Sequence, residues 1–246
     1  MRVRARFSKL GKVSWTSHRD VARMWERALR RAGLPVAYTQ GFSPRPRLSF
    51  GLALPTGHCS VAEYLDIDLN EEVASGYELA RTLSQVLPTG VDVLGCAVVD
   101  AGRESLQSEV TSCTWTIEVV GMDPDTLAGV ATSGMECETI PVTRERKGRQ
   151  TTDDLRPAIL ALRKGGWDGP AGVFDDEESL LTVELETGQR GVRPFELLEG
   201  LSAACGNTLD AGRICRTHQW IDGDGTRREP IPYESTGLVC APAGTQ

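Results

Sequence analysis

The stretch Arg2-Val3-Arg4-Ala5-Arg6-Phe7 alternates basic and apolar residues without a break. A period of two puts Val3, Ala5 and Phe7 on one face of a strand and Arg2, Arg4 and Arg6 on the other, wet face. The next strong pattern supplies a cover for the apolar face. Val21, Met24, Trp25, Ala28 and Leu29 fall at i, i+3, i+4, i+7 and i+8, the single stripe of an amphipathic helix. Ser17, with Asp20 three residues on, opens that helix as a capping box does. Gly33 and Pro35 close it. A strand followed at once by its own covering helix sets the rhythm of an α+β unit.

The rhythm continues outward. Residues 35–39 and 48–54 read as short extended segments, and Leu65, Ile67 and Leu69 alternate with acids in a further strand. Ser75-Gly76-Tyr77-Glu78 is a capping box for a helix carrying Leu79, Leu83, Val86 and Leu87, stopped by Pro88. Residues 91–99 form another strand. The first hundred residues thus read β-α-β-β-α-β, the order of a ferredoxin-like split β-α-β unit.

Residues 100–108 are polar and read as a linker. A second unit follows over 109–222. It has strands at 111–120, 137–142, 179–186 and 213–221, and a helix opened by Asp123-Pro124. Leu155, Ile159, Leu160 and Leu162 predict a further, inserted helix capped by Asp153-Asp154. Pro194 opens one with Phe195, Leu198 and Leu201, closed by Gly206. Residues 223–246 lack periodicity and read as a flexible tail. The expected fold is α+β: two tandem ferredoxin-like units with antiparallel sheets, at 1–100 and 109–222.

Between the two halves of the first unit lies Gly41-Phe42-Ser43-Pro44-Arg45-Pro46-Arg47-Leu48-Ser49-Phe50-Gly51. Two prolines stiffen it, each restraining the residue before it toward extended geometry. Arg45 and Arg47 therefore read as cationic forks on a rigid loop, suited to phosphate or carboxylate.

Net charge is -7, but it is unevenly distributed. Residues 1–50 carry twelve Lys+Arg against two acids, a balance of +10, and the remaining 196 residues carry -17. Such asymmetry points to a polyanion-binding face, or to a basic part that docks on the chain's own acids. Arg19, Arg23 and Arg27 stack four residues apart on the first helix, where like charges repel by a few tenths of a kcal/mol. A second basic run, Arg144-Glu145-Arg146-Lys147-Gly148-Arg149, reads as a loop. Hydrophobic content of 40% supports a core. No apolar run approaches the roughly 18 residues of a membrane span, and nothing after Arg6 resembles a signal peptide. The seven cysteines are odd in number and lack metal-ligand spacing, as expected of free thiols in a reducing cytoplasm.

Several blocks together resemble a known family. They are Gly11-Lys12-Val13-Ser14-Trp15-Thr16-Ser17-His18-Arg19-Asp20, then Glu26-Arg27-Ala28-Leu29-Arg30-Arg31-Ala32-Gly33-Leu34-Pro35, the proline-arginine loop, and Glu63-Tyr64-Leu65-Asp66. They are similar to an uncharacterised bacterial family whose members accompany radical S-adenosylmethionine proteins, fused behind them or encoded beside them. Residues 148–156 and Gly191-Val192-Arg193-Pro194 are similar to its second half. Family members usually carry His at the position of Arg45 and an apolar residue at that of Arg19. The resemblance implies a companion of a radical enzyme near ribosome and RNA maturation, with no known activity. The layout is also similar to the opening of the pseudouridine synthases. Their catalytic Asp would fall at Pro44, which cannot act as nucleophile or base.

Catalytic candidates are few. His18 and Asp20, two residues apart at a helix start, do not share a face; Asp20 also has a capping role. His58 beside Cys59 is a pair whose side chains diverge. His218 reads as a surface or packing residue on a strand. No phosphate-binding loop, dinucleotide fingerprint, zinc signature, hydrolase elbow or three-cysteine radical cluster is present. No cofactor or metal is expected. The candidate RNA- or phosphate-binding residues are Arg4, Arg6, Arg19, Arg23, Arg27, Arg31, Phe42, Arg45, Arg47, Arg146, Lys147 and Arg149, arginine being suited to bidentate phosphate contact. Trp15, Phe42 and Phe50 lie among these charges and could stack bases; Phe42, at a loop apex, is the better stacking candidate, and Trp15 and Phe50 are expected in the core. The expected function is an RNA-binding accessory protein, for tRNA or rRNA, working with a radical S-adenosylmethionine protein and without a membrane. The alternatives are an RNA-processing enzyme using His18 and Asp20, and a protein–protein adaptor with a basic docking face.

Overall fold

The computed structural model describes residues 1–73, 75–100, 105–146, 148–188, 191–223 and 225–231, without the side chains of Glu145, Arg146 and Arg149. The architecture is mixed α and β, with mostly antiparallel pairing and five α-helices among the described residues. The chain forms two units, one from residues 1–56, 62–109 and 223–246, the other from 57–61 and 110–222.

In the first unit the elements run β1 (Arg2–Lys9), α1 (His18–Arg31), β2 (Leu48–Phe50), β3 (Cys59–Asp68), α2 (Gly76–Val86), β4 (Val93–Val99) and α3 (Leu106–Glu109). The first three residues of β3 group with the other unit. The strand order is β4-β1-β3-β2, with β1 antiparallel to β4 and β2 antiparallel to β3. The alternation of β1 puts Val3, Ala5 and Phe7 in one core with Val21, Trp25, Ala28 and Leu29 of α1 and Leu79 and Leu83 of α2. Phe7 meets Trp25 edge-on, ring centres 5.0 Å apart. Each of the Val, Leu and Phe side chains, fully buried, contributes about 1.5–3 kcal/mol relative to exposure.

The arginine face of β1 differs from the expectation. It is covered, not wet. Arg4 is 0% exposed, and a second, small cluster of Ala62, Tyr64, Leu106 and Ile231 is buried in this unit. Strict alternation reports that two faces differ, not that the polar one meets water. The stretch expected to be a linker contains α3, whose Leu106 is buried. Thr226–Arg228 forms a short strand, β5, and residues 232–246 of the expected tail lie outside the described residues.

The second unit runs β6 (Ser112–Val120), α4 (Pro124–Glu136), β7 (Pro141–Arg146), β8 (Arg149–Asp154), β9 (Ile159–Lys164), β10 (Leu180–Glu186), α5 (Pro194–Cys205) and β11 (Asp210–Gly223). Its main sheet has the order β11-β6-β10-β9, antiparallel throughout. Cys59 and Ser60 pair in parallel with Cys215 and Arg216 of β11. Thus both units place four strands in the order fourth, first, third, second.

Two expectations for this unit are corrected. The inserted element is the antiparallel hairpin β7–β8, not a helix. Residues 155–162 form a single 3-10 turn and then β9. The apolar spacing there imitates a helix because the pairing slips between Ile159 and Ala161. An extra residue in a strand lets two side chains three apart face inward together, and Ile159 and Leu162 are both buried. Pro157 inside the segment also opposes a helix interior. No described helix is long and apolar enough to cross a membrane.

Candidate nucleic-acid interface

The interface is built on α1. Ser17 caps it: the Ser17 hydroxyl accepts from the Asp20 backbone N–H at 3.2 Å and donates to the Asp20 carboxylate at 2.7 Å. That hydroxyl, with lesser help from Arg23 and Arg19, holds the Asp20 carboxyl below its usual range. With Val21, Trp25, Ala28 and Leu29 turned inward, Arg19, Arg23, Arg27, Arg30 and Arg31 all stand exposed on the outer surface. Arg23 reaches Asp20 at 3.3 Å across a solvent-exposed pair, where water screens the attraction and little stability is gained. Among the described residues, Arg19, Arg27, Arg30 and Arg31 form no salt bridge. Arg30 and Arg31 suit the negative end of the helix dipole, whereas Arg19 stands at the positive end, where a cation is disfavoured.

The arginines of the sheet behave differently. Arg4 is clasped by Asp66 through two contacts at 2.7 and 3.0 Å, and also donates to Glu109 at 3.2 Å and to the Pro230 carbonyl at 3.4 Å. Burial alone would lower the Arg4 pKa, but the hydrogen bond and charge of Asp66, with help from Glu109, raise it. Arg6 pairs with Glu229 at 2.8 Å and lies over the Tyr64 ring. Arg2 and Arg47 share Asp68, at 2.7 and 3.1 Å. Arg4 and Arg6 are therefore withdrawn from the phosphate-binding set: their guanidinium groups are committed to carboxylates of the same unit. The charge asymmetry of the sequence was partly internal compensation, since Asp66, Asp68, Glu109 and Glu229 all lie beyond residue 50.

The proline-arginine loop is a finger. Tyr38 pairs with Pro46, the Thr39 N–H donates to the Arg45 carbonyl at 2.8 Å, and the Arg47 N–H donates to the Ala37 carbonyl at 2.8 Å. The Arg45 N–H donates to the Thr39 hydroxyl at 3.0 Å. These bonds hold Phe42 and Arg45 out in solvent, Phe42 completely so. Arg47 keeps 54% of its side chain exposed despite Asp68.

Trp15 does not enter the core as expected; it is 74% exposed. It ends a 3-10 turn, Gly11–Trp15, just ahead of α1. The buried Lys9 ammonium donates to the carbonyls of Ser14 at 3.1 Å and Thr16 at 3.0 Å, on either side of Trp15. Phe50 is half-buried against His18, ring centres 5.1 Å apart. His18 borders a narrow cleft with Lys9, Phe50, Glu63 and Tyr64, and Asp20 is engaged in the cap. The remaining candidates belong to the second unit. Arg144 pairs with Glu196. Arg146 and Arg149 face one another in the backbone register of the β7–β8 hairpin; their side chains, and Lys147 altogether, lie outside the described residues. No group of three or more His, Cys, Asp or Glu side chains arranged for a metal occurs among the described residues.

A family model described as "Uncharacterized protein conserved in bacteria (DUF2344)" matches residues 2–194. The chain belongs to this family. The match spans α1, the Phe42 finger and the β7–β8 hairpin, and ends at the first residue of α5. Glu229 and Pro230, which hold Arg6 and Arg4, therefore lie beyond the part the family model describes. No curated protein matches the chain.

Proposed function

We propose that this member of the family binds structured RNA through its first unit and serves as an accessory to a radical S-adenosylmethionine partner in RNA maturation or modification, in the cytoplasm. The observation that carries the reading is the row Arg19-Arg23-Arg27, exposed and almost without internal carboxylates. Residues four apart rise by about 6 Å along a helix, a step comparable to that between consecutive phosphates of one strand. Arginine forks suit phosphate oxygens, and the exposed Phe42 and Arg45 of the finger add an aromatic face and a further cation. The strand order fourth, first, third, second in each unit supports reading the pair as tandem ferredoxin-like folds. The radical partner is carried by the family resemblance of the sequence. The engagement of Asp20 in the helix cap favours a binder over an enzyme working through that carboxylate.

Fluorescence anisotropy with labelled tRNA and rRNA fragments, across 50–200 mM salt, tests the reading. A protein neutralising about six phosphates loses roughly a thousandfold in affinity over that range. Absence of binding at the lowest salt rejects the RNA reading. A partner complex that survives nuclease treatment, with no RNA affinity in the isolated protein, points instead to an adaptor surface.

A further inference from the structure

We infer that Trp15 is a base-stacking platform and that the RNA bound along α1 is an unpaired strand; this rests on the RNA-binding reading above. Trp15 is 74% exposed, and the exposure is built into the turn that carries it. Lys9 is buried, and its ammonium donates to the carbonyls of Ser14 and Thr16, the two neighbours of Trp15. The Ser14 hydroxyl donates to the Gly11 carbonyl, and the Thr16 hydroxyl and N–H both donate to the Val13 carbonyl. The turn is therefore fixed at both ends while its last side chain faces solvent. Ordering such a platform before binding removes part of the entropy that ligand capture otherwise costs.

The chemistry of the ligand follows from what an indole face can accept. In an A-form duplex the base faces are covered by their neighbours, and the helix offers phosphates, 2′-hydroxyls and base edges. An unpaired strand offers open base faces, which stack on aromatic side chains. Trp15 immediately precedes a helix whose arginines recur at one-turn intervals. A strand whose phosphates follow Arg19, Arg23 and Arg27 brings a base to the end of the row where Trp15 stands. Lys9 is a positioning residue in this scheme, since it holds the turn and does not itself meet the RNA.

The test uses the full chain with two probes of equal length, a single-stranded oligouridylate and an RNA duplex, titrated by anisotropy at several salt concentrations. The expected result is tighter binding of the single strand and quenching of the exposed indole on binding. Trp15→Ala weakens the single strand by about 5- to 150-fold, the range of one lost stacking contact. Trp15→Phe recovers part of that loss. The salt slope of Trp15→Ala stays as in the wild type, because stacking releases no counterions, whereas an Arg23→Ala variant flattens it. Lys9→Met weakens the single strand with an unchanged slope and is compared at equal folded fraction by circular dichroism. The inference is overturned if the wild type binds RNA but prefers the duplex, or if Trp15→Ala binds the single strand as tightly as the wild type; in both cases the RNA-binding reading survives. Failure of both probes to bind the wild type at low salt, while the tRNA or rRNA fragments bind, overturns the inference alone; failure of those fragments as well removes both readings.

Discussion

Asp66→Ala separates a structural arginine from a binding one. In the native protein the Arg4 side chain is fully buried and the Asp66 side chain is 4% exposed, joined by two contacts at 2.7 and 3.0 Å. Removing the carboxylate leaves the guanidinium in the interior with, among the described residues, Glu109 at 3.2 Å and the Pro230 carbonyl at 3.4 Å. Breaking one side of a buried pair typically destabilises by about 3–5 kcal/mol. With a urea slope of about 2 kcal/mol per M, the midpoint falls by roughly 1.5–2.5 M. Trp25, buried beside Phe7 in the same unit, supplies the fluorescence signal. Replacing both partners together, Arg4→Met with Asp66→Leu, recovers part of the loss: the guanidinium is no longer stranded, and the cost that remains is the Glu109 carboxylate, 13% exposed, which loses its contact with Arg4. Arg23→Ala is the control: its solvent-exposed pair with Asp20 predicts a urea midpoint indistinguishable from the wild type. A loss below about 1 kcal/mol for Asp66→Ala would show that Arg4 is not committed to the interior, and would return it to the phosphate-binding set.

Two further outcomes follow from particular contacts. A Cβ added at Gly76 would lie 2.3 Å from the Cys96 carbonyl oxygen, so Gly76→Ala forces α2 away from β4 and lowers the melting temperature, while the same change at exposed Gly129, which meets nothing, does not lower it. The Asp68 carboxyl is held below its usual range, first by its hydrogen bond to Arg2 and then by the charges of Arg2 and Arg47 against the opposing effect of burial. A depressed folded-state pKa contributes stability that is present above the unfolded value of about 3.9 and lost as pH falls through the folded value. Asp68→Asn therefore flattens the stability profile below about pH 4, measured by urea midpoints; a profile parallel to the wild type there contradicts the assignment.

The local signals of the first unit were legible because each had one physical cause. Ser17 capped α1, Ser75 capped α2, and the period of two in β1 sorted Val3, Ala5 and Phe7 to the core. The misreadings came from signals with two causes. An apolar spacing of three to four residues arises from a helix or from a strand with a bulge, and at Ile159 and Leu162 it was the bulge. An arginine alternating with apolar residues is consistent with water or with a carboxylate brought from elsewhere, and Asp66, Glu109 and Glu229 are distant in sequence from Arg4 and Arg6. Trp15 was expected inside because indoles mostly are; only the turn held by Lys9 shows why it is not. The helix row was legible in full, because Arg19, Arg23 and Arg27 lie on one element and their exposure follows from the opposite, apolar face of α1.

The most direct measurement is the salt dependence of RNA affinity for the wild type and for Arg19→Ala/Arg23→Ala/Arg27→Ala, with melting temperatures taken in parallel. Each phosphate contact on a single strand contributes about 0.7 to the slope of log affinity against log salt. The account requires the triple variant to melt as the wild type does and to lose roughly 2 units of slope. An RNA affinity and slope unchanged in the triple variant would contradict it.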